Sequence, residues 1–262
     1  MRNCTRRGLL SGAIALTASA ARAVEADVPA VAAASDLQFA LEDLAARFRA
    51  ETGQAVRITY GSSGNFVRQL RQGAPFQLFL SADEGFVFQL AEAGKTADRG
   101  ALYAEGRIVL FAPHGSPLTP DPTLRNLREA LAAGRVQRFA IASPEHAPYG
   151  RAAAQALQSQ GLWDAIQPRL VLGENVTQAA QFASSGATQG GIFAYSLALA
   201  PEIGTRGTYA LLQADWHAAL RQRMVLLHNA GATARAFYTY LQSPAARAVL
   251  RRHGFTLPGE LS

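Results

Sequence analysis

Apolar positions along this chain alternate between two periods, and the change from one to the other recurs many times. Val28–Ala33 is a continuous apolar run, after which Leu37, Leu41, Leu44 and Phe48 follow at helical spacing until Thr52-Gly53. Val56, Ile58 and Tyr60 alternate as a half-buried strand, and Phe66, Val67 and Leu70 suit a short helix stopping at Gly73. Phe76–Leu80 reads as a buried strand, with Phe86, Leu90 and Ala93 on the helix after it. A strand over Arg107–Ala112 then runs into Pro113-His114-Gly115-Ser116-Pro117, the clearest break in the chain. Beyond it the same alternation predicts helix Leu124–Ala133, strand Arg138–Ala142, helix Ala152–Gln160, strand Arg169–Leu172, helix Thr177–Ser184 and strand Gly191–Ala194. Met224–His228 reads as a returning strand, and Thr233–His253 as a helical tail.

Strands alternating with helices imply an α/β protein whose parallel sheets are covered on both faces. The break at Pro113–Pro117 divides it into two lobes, residues 24–110 with 226–262 and residues 111–225, with the C-terminal helices returning to the first. A ligand then belongs in the interlobe cleft, beyond the carboxyl ends of the strands.

Four loops between strand and helix share one character: AAASDL (Ala32–Leu37), YGSSGN (Tyr60–Asn65), HAPYG (His146–Gly150) and GENVT (Gly173–Thr177). Each offers the unpaired N–H groups and positive dipole end of a helix's first turn, with Ser or Tyr hydroxyls nearby in three of them. Several such ends converging make an anion site that needs no Lys or Arg. Ser35, Ser62 and Ser63 could each serve simply as a helix N-cap. A cap satisfies only its own helix, however, and gives no reason for loops on both lobes to be alike.

The residues before Val28 read as an export signal. Arg2, Arg6 and Arg7 precede the largely apolar run Gly8–Ala18, and Ala21-Arg22-Ala23 is a cleavage site, so residues 1–23 form a signal peptide. Thr5-Arg6-Arg7-Gly8-Leu9-Leu10-Ser11 resembles a twin-arginine signal, with an ordinary secretory signal as the alternative. Either places the mature chain in the periplasm. Cleavage takes four arginines and lowers the formal charge from +6 to +2, so the pI near 10.0 marks no basic patch. No run of interleaved Arg and aromatics suits nucleic acid. Cys4, the single cysteine, lies within the signal, which leaves the mature chain without disulfide, thiolate nucleophile or cysteine metal site. The five histidines (His114, His146, His217, His228, His253) lack metal-ligand spacing.

A periplasmic serine hydrolase is the competing reading. Gly61-Ser62-Ser63-Gly64-Asn65 departs from the nucleophile elbow at its last position, and spacing nominates no His or acid to complete a triad.

The ordered set AAASDL, YGSSG, GAPFQLFLSAD (Gly73–Asp83), SPEHAPYG (Ser143–Gly150) and GENVTQA (Gly173–Ala179) resembles the periplasmic molybdate-binding proteins of molybdate ABC importers. The resemblance runs from about Val28 to Thr256. It implies a two-lobed, type II-like periplasmic binding protein that is not an enzyme. Such a protein closes as a monomer on molybdate or tungstate and delivers it to a membrane permease, with sulfate or another tetrahedral oxyanion as the alternative. It implies no cofactor, and molybdenum held only as the oxyanion, without direct metal ligands. Ser35 and Ser63 match the family's hydroxyl ligands, and Val176 a backbone N–H donor at a helix start. Ala194 falls where much of the family carries a tyrosine ligand, so the resemblance implies that Tyr149 supplies the phenol instead. Tyr195, one residue off, faces elsewhere. Asp36 is a departure: at ~4 Å a carboxylate repels each unit of ligand charge by roughly 4 kcal/mol at an effective dielectric of 20. It is therefore expected to turn its side chain away and offer its backbone N–H. Ser63→Ala is expected to weaken binding and leave the ligand-free protein's stability almost unchanged.

Overall fold

The computed structural model describes residues 28–260, and the signal segment lies outside them. Ten strands form two five-stranded sheets. The first takes β1 (Ala30–Ala34), β2 (Arg57–Gly61), β3 (Leu78–Ser81), β4 (Ala101–Gly106) and β10 (Leu220–Leu226), in the order β2-β1-β3-β10-β4. The second takes β5 (Ile108–Pro113), β6 (Phe139–Ala142), β7 (Leu170–Gly173), β8 (Gly190–Ala194) and β9 (Gly207–Leu211), in the order β7-β6-β8-β5-β9.

Both sheets are mixed rather than parallel throughout. β1 runs parallel to β2 and β3, but β10 is antiparallel to β3 and β4. β6 is parallel to β7 and β8, while β5 is antiparallel to β8 and β9. The antiparallel pairs arise where the chain changes lobes, because a strand entering from the other sheet is free of the right-handed crossover that keeps βαβ strands parallel. β4 and β9 went unforeseen for a related reason. Their sequences, ALYAEG and GTYAL, carry Ala, Gly and exposed positions in place of a β-branched run.

Sheet membership sets the crossings at Arg107, between β4 and β5, and between β9 and β10. The expected limits at 110/111 and 225/226 fall inside β5 and β10. Ile108–Pro113 is one uninterrupted, fully buried strand, so the proline break ends β5 instead of dividing the lobes. Arg107 Nη2 donates to the Leu212 carbonyl at 3.1 Å, tying the two crossing segments together. The tail forms two helices, Ala232–Tyr240 and Pro244–Arg252, split where the Ser243 hydroxyl accepts the Ala246 N–H and Pro244 opens the second.

Helices Gln38–Thr52 and Pro244–Arg252 cover one face of the first sheet, burying Leu41, Leu44, Phe48, Val249 and Leu250. Phe48 meets Phe237 edge-on at 5.1 Å. In the second lobe Phe111, Phe139, Ile141 and Phe193 fill the centre, each of them fully buried. Burying such side chains contributes about 1.5–3 kcal/mol each, which holds each sheet rigid beneath its loops. That second core includes Ala34, Ala82 and Leu220 from the first lobe, so the lobes are closed on one another. Among the described residues no helix is long and apolar enough to cross a membrane.

Candidate oxyanion site

The strand ends of both sheets meet at a small cavity between the lobes. Its wall is Ala34, Ser35 and Asp36 after β1, Gly61, Ser62 and Ser63 after β2, and Ala82 after β3. The second lobe adds Ala147, Pro148 and Tyr149 after β6, and Val176 after β7. Ser35, Asp36, Ser63, Tyr149 and Val176, the five residues singled out in the sequence, all lie on this wall. No Lys, Arg or His lines it; Asp36 and Tyr149 are its only ionisable side chains.

The second loop is built to donate. Ser62, not Ser63, caps helix Ser63–Arg71, its hydroxyl accepting the Asn65 N–H. Ser63 sits at the first helical position, fully buried, and its Oγ accepts the Ala82 N–H at 3.0 Å. That bond uses a lone pair and leaves the hydroxyl proton free to donate. Val176 likewise opens helix Val176–Ser184, where its N–H has no partner within the helix. Asn175 caps that helix by accepting the Gln178 N–H at 3.0 Å.

Ser35 caps no helix of its own lobe. Its Oγ donates to Asn175 Oδ1 at 3.2 Å and accepts the Thr177 N–H at 3.3 Å, while the Thr177 hydroxyl donates to its carbonyl at 2.9 Å. These bonds cross the cleft. So do Gly64 N–H to the His146 carbonyl at 3.0 Å and Asn65 Nδ2 to Glu174 Oε2 at 3.3 Å. Arg151 pairs with Asp83, and the Ser196 hydroxyl donates to the Asp36 carbonyl at 2.8 Å.

Asp36 anchors a buried polar cluster. Its Oδ2 accepts from Tyr149 Oη at 2.9 Å and Gln222 Nε2 at 2.6 Å. Gln222 also donates to Tyr149 Oη at 3.0 Å, and its Oε1 accepts from Tyr103 Oη at 2.8 Å. Asp36 Oδ1 is buried and has no partner. Burial pushes the Asp36 carboxyl up to about 6, with the Gln222 and Tyr149 hydrogen bonds pulling partly against it. Burial also raises the Tyr149 and Tyr103 phenols well above their ordinary range, with the Asp36 charge adding to it. Asp36 thus turns its carboxylate onto neutral donors. The Tyr149 phenol lines the cavity with its one proton committed to Asp36, not aimed at a ligand. Tyr195 lies off the cavity, its ring 5.9 Å from that of Tyr209, and Ala194 is buried beneath.

Gln222 and Tyr103 escaped the sequence reading. Gln222 lies in phase with Leu220 and Met224 on the inward face of Leu220–Leu226 and is fully buried, but it precedes the strand expected at Met224–His228. A polar residue in a central strand was the signal available. His146 was left out as well, although its Nδ1 stands 2.8 Å from Ser62 Oγ and its Nε2 3.6 Å from Glu174 Oε2. This resembles a catalytic relay in outline only. The Glu174 side chain is 71% exposed, and the Ser62 hydroxyl donates to the His146 carbonyl at 3.2 Å while capping its helix. No cluster of three or more His, Cys, Asp or Glu among the described residues could hold a metal ion.

The sequence matches the family of bacterial extracellular solute-binding proteins over residues 29–256. It is 32% identical to the molybdate-binding protein ModA of Rhodobacter capsulatus, covering 94% of this chain and 96% of that one. With ModA of Escherichia coli K12 the identity is 33%, over 87% and 88%. The fold superposes on the periplasmic molybdate-binding protein of Azotobacter vinelandii with a TM-score of 0.79 and 31% identity, covering 88% of this chain and 99% of that one. The sulfate-binding protein SubI of Mycobacterium tuberculosis, 16% identical, shares the fold at a TM-score of 0.72. These proteins bind solutes and are not catalysts, and the chain belongs to the ModA family of bacterial extracellular solute-binding proteins.

Proposed function

We propose that this protein captures molybdate, or its congener tungstate, in the cavity between its lobes and delivers it to the membrane permease of an ABC importer. One observation carries the reading: an interlobe cavity to which both lobes bring hydroxyl and backbone N–H donors, with no Lys, Arg or His in its wall. Ser63 Oγ–H and the Val176 N–H donate from opposite lobes, and Ser35 Oγ–H joins them by rotating away from Asn175. A hydrogen bond to a charged partner contributes about 1.5–3 kcal/mol. Three such bonds give about 4.5–9 kcal/mol before ordering costs, against the roughly −8 kcal/mol of micromolar binding. Because each lobe supplies part of the set, the anion favours the closed state through contacts the open state lacks. Opening then releases it without an ion pair to break.

The protein works in the periplasm as a monomer, with residues 1–23 removed on export. Intact mass of protein from the periplasmic extract should place the mature N-terminus near Val24, and a retained Arg6-Arg7 would refute this. The ligand is tested by calorimetric titration of the mature protein with molybdate, tungstate, sulfate and phosphate. One molybdate or tungstate per chain is expected, with sulfate and phosphate much weaker. Tighter sulfate would reassign the cargo, and no binding of any oxyanion would overturn the reading.

A further inference from the structure

A carboxylate in the wall of an anion cavity needs a physical account. Asp36 is 1% exposed, and no Lys, Arg or His is among the groups that act on it. What faces it from each packed element is neutral. Tyr149 comes from helix Pro148–Ser159 and Gln222 from β10, with Tyr103 of β4 reaching it through Gln222. Ser196, from the short helix Tyr195–Ala198, bonds only its backbone carbonyl. Both donors fall on Oδ2, while Oδ1 is buried and unpaired. A buried carboxylate with one oxygen orphaned is poorly stabilised as an anion. The same group with a proton on that oxygen is a hydrogen-bond donor in the wall of a cavity that otherwise consists of donors.

We propose that binding of the oxyanion takes up one proton, held on Asp36 Oδ1, so that the cavity meets a doubly charged anion with a neutral carboxylic acid. The inference rests on the oxyanion reading of the cavity and adds the chemical state of its wall. The step balances simply: an O–H bond forms on Oδ1, the proton comes from solvent or buffer, and nothing is oxidised or reduced. With the lobes closed, burial holds the Asp36 carboxyl at about 6. Below that pH the acid is already in place and affinity is flat. Above it each anion must draw a proton with it, and affinity falls about tenfold per pH unit. The cavity would hold its cargo most firmly in acidic surroundings and release it more readily as the pH rises.

Molybdate, which carries no proton of its own near neutrality, is the probe. Calorimetric titration at pH 7.5 in two buffers of different ionisation enthalpy gives the number of protons taken up per anion, which should approach one. Wild-type affinity should fall about tenfold between pH 7 and pH 8. Asp36→Asn keeps the shape and offers a permanent neutral donor. It should show no proton uptake and a flat pH profile, and at pH 8 should bind up to about a hundredfold more tightly than wild type. Wild-type binding with no buffer-dependent heat and no pH slope would refute the inference and leave the cargo reading intact. Proton uptake that persists in Asp36→Asn would also refute it, by assigning the proton elsewhere. Failure to bind molybdate, tungstate, sulfate or phosphate at any pH would sink the cargo reading itself. The wild-type proton count stands even if the variant does not fold.

Discussion

The two loops that follow β1 and β2 lie side by side in one sheet and both bring serine to the cavity, yet they are completed differently. In the Gly61–Asn65 loop, Ser63 takes the Ala82 N–H and Ser62 caps its own helix within the first lobe, while Ser62, Gly64 and Asn65 also reach His146 and Glu174 across the cleft. In the Ser35–Leu37 turn, Ser35 finds its partners on Asn175 and Thr177, and Asp36 adds Tyr149 and Ser196 from the second lobe to Gln222 of its own. One loop is therefore ready to donate before the lobes meet. The other acquires its geometry only on closure, and it also carries the one titratable carboxylate. Preorganised donors supply affinity at little ordering cost, whereas a loop finished by the opposing lobe makes affinity depend on the closed state.

The sharpest way to break this contrast is to deny closure to both loops at once. An added Cβ at Gly64 would lie 2.6 Å from the His146 carbonyl oxygen, a backbone atom that cannot swing aside. Gly64→Ala should hold the lobes apart and weaken molybdate binding about a thousandfold, roughly 4 kcal/mol. Small-angle scattering should show no compaction on adding ligand. Wild-type affinity in this variant would mean that the closed contact is not needed for binding.

Asp36 distinguishes the loops by pH in the absence of ligand. Its carboxyl stands at about 6 when folded against the ordinary 3.8, so ionisation opposes folding. The stability it contributes is complete below 3.8, is lost as pH rises towards 6, and stays lost above. A shift of that size corresponds to about 3 kcal/mol. Asp36→Asn should thus stabilise the closed form over wild type by up to about 3 kcal/mol at pH 8, the gap closing near pH 4. Urea denaturation at several pH values measures it. No equivalent slope should attach to any residue of the Gly61–Asn65 loop.

Removing the preorganised hydroxyl comes next. Ser63→Ala deletes a donor to a charged ligand, worth about 1.5–3 kcal/mol of affinity. It also strips the Ala82 N–H of its acceptor in a buried place, so the ligand-free protein should lose about 1–3 kcal/mol as well. The sequence-based expectation of unchanged stability does not hold, because the Ala82 N–H depends on Ser63 Oγ. Ser35→Ala, whose partners lie across the cleft, should leave the open protein's stability near wild type. Equal losses of stability in the two variants would erase the distinction between the loops.

Much of this arrangement was legible in the sequence, and the reason is local. Strand-to-helix loops announce themselves by a change of period followed by small and hydroxyl residues, which picked out Ser35, Ser63 and Val176 on one wall. Gly53, with φ of 72°, ends helix Gln38–Thr52 where the pattern predicted. What escaped was set by distant pairing. The strands β4 and β9 are held by antiparallel pairing with β10 and β5, and Gln222 meets Asp36 and Tyr149, residues far away in sequence. Asp36 gives its carboxylate to the Tyr149 hydroxyl. Nothing local named Tyr149 as the group receiving it.

The smallest expected effect isolates a single bond between the Ser35–Leu37 turn and the second lobe. Ser196 Oγ donates to the Asp36 carbonyl at 2.8 Å, touching neither the carboxyl nor the cavity wall. Ser196→Ala should remove one neutral hydrogen bond formed only on closure, about 0.5–1.5 kcal/mol. Affinity should fall about two- to tenfold, with the ligand-free protein's stability and the pH profile of binding both unchanged. A shifted pH profile would show that this hydroxyl acts through the Asp36 carboxyl after all. An affinity equal to wild type would show that the turn is already set before the lobes meet, making the two loops alike.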